Sequence, residues 1–238
     1  MKKSKRLQEI FLKNAVFEKE SPYNFCDRWC ERCIYEKQIS CKVYLDELEQ
    51  KMICVAHGKE PNDPEITEAV MKRQFEDVGE KIDQFIEENE IDIDAIDDPA
   101  FEKIREHIEF VENNPLQRTA ERYLDIAREF LEKTFYKTGF EDQVLARDFE
   151  TVNWYHTLLP VKLNRALAGF HEPACEGDLA LYDAVAQFQI CKKAITQSIE
   201  ALSEISKSYA SHRAQIQQLF ALLHNIHSRI EQLEESIV

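Results

Sequence analysis

The sequence predicts an all-α protein: an antiparallel helical bundle with an N-terminal, four-cysteine metal-binding helical segment. Three observations predict it. Apolar residues recur at steps of three and four along most of the chain. Only five glycines and seven prolines punctuate its 238 residues. Four of its seven cysteines, Cys26, Cys30, Cys33 and Cys41, fall within one sixteen-residue stretch. At 44% hydrophobic the chain can bury a substantial core. Its punctuation suggests three parts: a cysteine-rich helical segment over 1–58, an acidic helical pair over 59–114, and a four-helix bundle over 115–238.

Taken in order, Leu7, Ile10, Phe11 and Ala15 space a short amphipathic helix that stops near Ser21-Pro22. The cysteine stretch follows. Cys41, Tyr44, Leu45, Leu48, Met52 and Val55 then keep helical spacing up to Gly58, a C-cap. Asp63-Pro64 supplies the N-cap and first turn of a helix expected to bury Ile66, Val70, Met71, Phe75, Val78, Ile82 and Phe85. Asp98-Pro99 opens a shorter helix carrying Phe101, Ile104, Ile108 and Val111, which ends at Asn113-Asn114-Pro115.

Four long helices are expected beyond Pro115. The first carries Leu116, Ala120, Tyr123, Leu124, Ala127, Phe130 and Leu131. The second has its stripe at Leu145, Phe149, Val152, His156, Leu159, Leu163 and Ala166, with Pro160 inside it as a kink. The third stacks Ala184, Phe188, Cys191, Ile195, Leu202, Ile205 and Tyr209. The last is the most regular, with Ile216, Leu219, Leu223, Ile226, Ile230, Leu233 and Ile237 at alternating steps of three and four. That pattern fits a bundle seam or a coiled coil, so self-association through this C-terminal helix, or a protein partner on it, is an expectation.

The cysteines carry the clearest chemical signal. Thiols grouped so closely in a chain without a recognisable secretion signal read as metal ligands rather than disulfides, and an odd cysteine count points to the reducing cytoplasm. The spacing C-x3-C-x2-C-x7-C sets Cys26, Cys30 and Cys33 at i, i+4 and i+7, on one face if the stretch is helical. Zinc–sulfur bonds of about 2.3 Å demand thiolates closer together than the roughly 5–6 Å between helical Cβ neighbours, and a cubane tolerates the wider spread. No Gly or Pro between Tyr23 and His57 offers the tight turn of a zinc knuckle. An iron–sulfur cluster ([4Fe-4S]) and zinc both stand, with ordinary buried thiols as the bland alternative. The spacing also occurs in radical enzymes that use S-adenosylmethionine, but a helical chain this poor in glycine cannot supply their β/α barrel.

The segment Asn24 to Cys33, NFCDRWCERC, resembles the N-terminal signature of a family of uncharacterised bacterial helical proteins. A weaker likeness runs through Trp154-Tyr155-His156 to Lys162, Arg165 and Ala166. The resemblance implies Cys26, Cys30, Cys33 and Cys41 as ligands, and His156, Lys162 and Arg165 as candidates for a pocket taking a small anionic substrate. For each candidate a structural role competes: His156 as a hydrogen-bonded core residue, and Lys162 and Arg165 as partners of surplus carboxylates.

Charge excludes other classes. Thirty basic against forty-five acidic residues give −15, which repels a phosphate backbone or an anionic membrane, and no apolar run approaches a membrane span. Between Glu76 and Glu112 acids outnumber bases fifteen to three, but Asp92 and Asp94 lack the rest of an EF-hand. The paired Glu-x-x-His motif of di-iron bundles is missing: Cys54, Ile104, Asn153, Ala168, Tyr209, Ala221 and His224 precede the histidines by three. Cys54 with His57, and His224 with His227 and Glu231, are the remaining metal-like groupings, each read first as core or surface. No Ser-His-Asp order, Walker loop or dinucleotide fingerprint occurs. The functional expectation is a cytoplasmic metal-binding binding or redox accessory module. The alternatives are an enzyme acting near the metal centre and a zinc-stabilised assembly scaffold.

Overall fold

The computed structural model describes residues 25–33, 39, 41–89, 99–138, 143–171 and 178–237. Among them are seven α-helices and no strand: α1 (Lys42–Ala56), α2 (Pro64–Glu88), α3 (Pro99–Glu112), α4 (Pro115–Thr138), α5 (Gln143–His171), α6 (Asp178–Ser208) and α7 (Arg213–Glu235). None is long and apolar enough to cross a membrane. The protein is therefore all-α, as its periodicity predicts. The chain divides into two compact units, Met1–Asp27 with Arg105–Val238, and Arg28–Ile104.

In the larger unit, α4 to α7 form a four-helix bundle in which α4 touches α5 and α7, and α6 touches the same two. Cross-helix bonds give the direction. Arg165 on α5 meets Asp183 on α6, whereas Tyr155 meets Gln197. Lys192 and Gln189 of α6 both reach Glu234 at the far end of α7, and Gln215 near its start reaches the Ile126 carbonyl of α4. Residue numbers rising on one helix thus meet numbers falling on the next, the antiparallel arrangement short connections impose.

The core is made of the expected stripes. Phe149, Val152, Leu159, Leu163 and Ala166 of α5 face Phe188, Cys191, Ile195, Leu202 and Ile205 of α6, and all are buried. Ile216, Leu219, Leu223, Ile226 and Ile230 of α7 are at most 1% exposed. The C-terminal seam is spent inside the chain's own bundle, where a self-association helix would have kept it exposed. Helix α5 continues through Pro160; a proline has no N–H, so the His156 carbonyl four residues earlier loses its helical partner there. Near the end of α5, Gly169 lets the backbones meet: a Cβ on it would lie 2.8 Å from the Ala180 carbonyl oxygen of α6. Two hydroxyls, Tyr123 and Ser198, face one another deep in the core without a well-formed hydrogen bond, and burial pushes the Tyr123 phenol up to about 12.

In the smaller unit, α1 and α2 form a helical hairpin. Gly58, at φ 70, ends α1: its own N–H bonds the Val55 carbonyl at 2.9 Å and that of Lys59 bonds Cys54 at 3.0 Å, the paired bonds of a Schellman motif. Asp63 caps α2 by accepting from the Glu65 and Ile66 amides, with Pro64 in the first turn. The expected break after residue 58 is thus a tight turn within one unit. The expected burial of the α2 stripe is not found. Met71, Phe75, Val78, Ile82 and Phe85 are exposed, as are Leu45, Leu48, Met52 and Val55 of α1. The hydrogen bond from Gln50 to Thr67 ties α1 to the first turn of α2, and beyond it the stripes of both helices are bare.

Candidate functional site

The cysteine stretch does not take up the one-faced helix its spacing allows. Arg28 sits in the left-handed region at φ 54, uncommon for a residue with a side chain, and only Cys30–Arg32 coil, into a single 3-10 turn before extended Cys33. Cys26, Cys30 and Cys33 therefore do not share a helical face. The turn that glycine or proline would usually supply is made at Arg28 instead. Arg32 stacks its guanidinium 3.4 Å over the ring of buried Trp29. Cys41 stands at the N-cap of α1 without a capping bond from its thiol.

Cys26, Cys30, Cys33 and Cys41 are all partly exposed and unpaired by disulfides, whereas Cys54 and Cys191 are buried. Burial pushes the Cys191 thiol up to about 12, against a weaker opposing pull from the Lys162 charge. These two behave as the small core residues expected of them; Cys175 lies outside the described residues. Cys26 belongs to the larger unit and Cys30, Cys33 and Cys41 to the smaller. Among the described residues no three His, Cys, Asp or Glu are gathered around a point able to hold a metal ion. That includes Cys54 with His57, and His224 with His227 and Glu231, where His227 instead approaches Glu231 at 3.5 Å.

What the larger unit does with the start of this stretch is specific. Phe25 lies against Tyr182, ring centroids 5.5 Å apart. The Trp154 indole N–H donates to the Asp27 carbonyl at 3.0 Å. The Asp27 carboxylate, nearly buried, accepts from the Tyr155 hydroxyl at 2.8 Å and from Lys193 Nζ at 2.6 Å. The Tyr155 hydroxyl also lies 2.7 Å from the Gln197 amide. The Gln197 atom there is its amide oxygen; a phenol has one proton, and the carboxylate is the better acceptor, so the bond to Asp27 is the stronger of the two. Asp27 is thereby clamped from α5 and α6. Phe25 and Asp27, from the first sequence island, thus lie against the bundle, where Trp154 and Tyr155 open the second.

The other candidates diverge. His156 is buried, as expected, with Nδ1 2.6 Å from the Asn153 carbonyl. Burial lowers its pKa, and the Arg128 charge on α4 lowers it further against two backbone hydrogen bonds, so it is neutral at pH 7 with its proton on Nδ1. Lys162 is buried on the side of α5 that meets Cys191. Arg165 makes a bidentate pair with Asp183, both bonds 2.7 Å, and Asp183 also accepts from Gln187 at 3.0 Å. One histidine thus looks toward α4 while the two cations look toward α6. Nine residues at about 100° each set His156 and Arg165 on opposite sides of their helix. The three do not converge on one pocket. A groove of about 500 Å3 does lie between α4 and α5, walled by Gln117, Glu121, Leu124 and Arg128 and by Thr157, Pro160, Val161 and Asn164.

Asp27, Trp154, Tyr155, Lys193 and Gln197 are the residues that sequence reasoning missed as a group. The available signal was that Asp27 lies inside one island and Trp154-Tyr155 opens the other. Fold and site together define a four-helix bundle carrying a clamped thiol-bearing segment. Set against known protein families, curated proteins and solved structures, the chain matches none.

Proposed function

We propose that this is a cytoplasmic metal-binding accessory module, in which Cys26, Cys30, Cys33 and Cys41 hold an iron–sulfur cluster or zinc and the bundle is the platform that anchors the first of them. The observation that carries the reading is the clamp. Three helix-borne side chains hold the backbone and side chain of Asp27 on one side of Cys26, and an aromatic contact holds Phe25 on the other, while the four thiols are partly exposed and in no disulfide. Fixing one ligand in advance lowers the entropy lost when the others close on a metal. The ligand set forms by that closure, so metal uptake and assembly of the site are one event. The left-handed turn at Arg28 supplies the tight bend a zinc site uses, which keeps a zinc-stabilised scaffold as the second reading.

Iron, labile sulfide and zinc, measured per chain after anaerobic purification, test the proposal and separate the two metals. One cluster or one zinc per chain is expected, falling in Cys26→Ser, Cys30→Ser, Cys33→Ser and Cys41→Ser and unchanged in Cys191→Ser. No metal in the anaerobic protein, or full metal content in Cys30→Ser and Cys33→Ser, overturns it.

A further inference from the structure

Helix α2 carries a bare apolar stripe. Met71, Phe75, Val78, Ile82 and Phe85 follow one another at steps of four, three, four and three, which sets them on one face. Each is between 48% and 71% exposed. A monomer seldom leaves so continuous an apolar strip in water. Beside its midpoint stands Gly79, inside the helix, where glycine is less stable than alanine. Among the described residues nothing calls for it: a Cβ built on Gly79 meets no atom within 4 Å. Gly79 lies about 80° round the helix from the stripe's centre line, where the missing side chain leaves room at the edge for a second helix.

We propose that α2 is a self-association helix, its stripe packing on the same stripe of a second copy with Val78 at the centre of the contact and Gly79 at its edge. Three features select a second copy of this chain. The stripe is self-complementary: small Val78 and Gly79 lie at the middle with bulkier pairs on either side. A two-fold axis near Val78 therefore sets Phe75 of one copy beside Ile82 and Phe85 of the other, as an isologous contact demands. The charges agree. Lys72 and Arg73 stand toward one end, Lys72 also 4.0 Å from Glu76 of its own helix, and Glu87 and Glu88 at the other, so antiparallel pairing sets these cations against acids where parallel pairing would set like on like. The area fits: five such side chains, about half exposed, offer roughly 500 Å2 per copy and about 1,000 Å2 for the pair, the threshold of a specific but weak interface.

Sedimentation of the full chain from about 1 to about 300 μM tests this. A concentration-dependent monomer–dimer equilibrium is expected, with Phe75→Glu and Ile82→Glu each raising the dissociation constant at least about tenfold. Gly79→Ala should raise helicity at low concentration and yet weaken the dimer, a combination that a role within one chain does not give. A zero-length carbodiimide cross-link from Lys72 to Glu87 should appear in the dimer. These residues lie about 22 Å apart on their own helix, so the link forms only between copies. A monomer at every concentration, a dimer indifferent to Phe75→Glu, or one weakened equally by Val161→Glu on the bundle overturns the proposal. A dimer without the Lys72–Glu87 link overturns its antiparallel form.

Discussion

Helices α2 and α7 carry nearly the same pattern and meet opposite fates. Ile216, Leu219, Leu223, Ile226 and Ile230 repeat at three and four and are buried against α4 and α6. Met71, Phe75, Val78, Ile82 and Phe85 repeat at four and three and stand in water. Periodicity says that a helix has an apolar face; it does not say what covers that face. Coverage depends on neighbours packed along the face, which α7 has in α4 and α6 and the α2 stripe lacks among the described residues.

The largest difference between the two should come from truncating each stripe. Leu223→Ala removes a fully buried side chain and should cost about 2–5 kcal/mol of unfolding free energy, whereas Phe75→Ala, measured below the concentration of any association, should change stability by less than about 0.5 kcal/mol. Chemical denaturation of the two variants, followed by circular dichroism, reads both. Deleting the chain from Ser211 onward goes further, exposing the bundle seam and giving aggregation or unfolding; a soluble deletion with intact melting would contradict the bundle packing.

Next in size is Gly169→Ala. The added methyl meets backbone, the Ala180 carbonyl oxygen at 2.8 Å, and backbone cannot step aside as a long side chain does. Separating α5 from α6 should cost about 1–3 kcal/mol, although alanine is the better helix former. Gly79→Ala, in open space on α2, should be stabilising by about 0.5–1 kcal/mol in the monomer. The same substitution thus takes opposite signs in the two regions, and thermal melts at low concentration decide it.

The clamp on Asp27 should have a smaller global effect. Asp27→Ala strips an acceptor from the Tyr155 phenol and Lys193, worth about 1–2 kcal/mol, with Lys193 on its exposed side adding little. The local readout is sharper: Trp154 donates to the Asp27 backbone, so release of the segment should shift its fluorescence. Unchanged Trp154 emission in Asp27→Ala would contradict the clamp.

Much of this was legible in the sequence, and the failures have physical causes. The stripes of α4 to α7 could be read because long helices with short connections leave each apolar face one place to go. Gly58 and Asp63 could be read because capping chemistry is local. The helical face for Cys26, Cys30 and Cys33 was misread because spacing permits a helix without requiring one, and the left-handed Arg28 breaks it. Asp27 escaped notice because its partners lie more than a hundred residues away, on Trp154, Tyr155 and Lys193. His156, Lys162 and Arg165 look like a cluster in sequence, yet the helical turn sends them to different neighbours.

The smallest expected effect is that of pH on the bundle. Burial holds the folded pKa of His156 below its ordinary 6.5, so the unfolded chain takes up the proton more readily. The sign follows: stability is flat above about pH 6.5 and falls as pH drops below it, until the folded histidine also protonates. His156→Gln should lessen that slope between roughly pH 6.5 and 5. An unaltered slope would mean that His156 does not carry it.

Hydrogen exchange read by mass spectrometry, on the full chain at a concentration low enough to keep it monomeric, tests the contrast between the two regions most directly. Amides of α7 from Ile216 to Ile230 should exchange only through global unfolding of the bundle, and those of α2 from Met71 to Phe85 should exchange orders of magnitude faster. Equal protection of the two helices would mean that the α2 stripe is covered within a single chain, and would contradict the account.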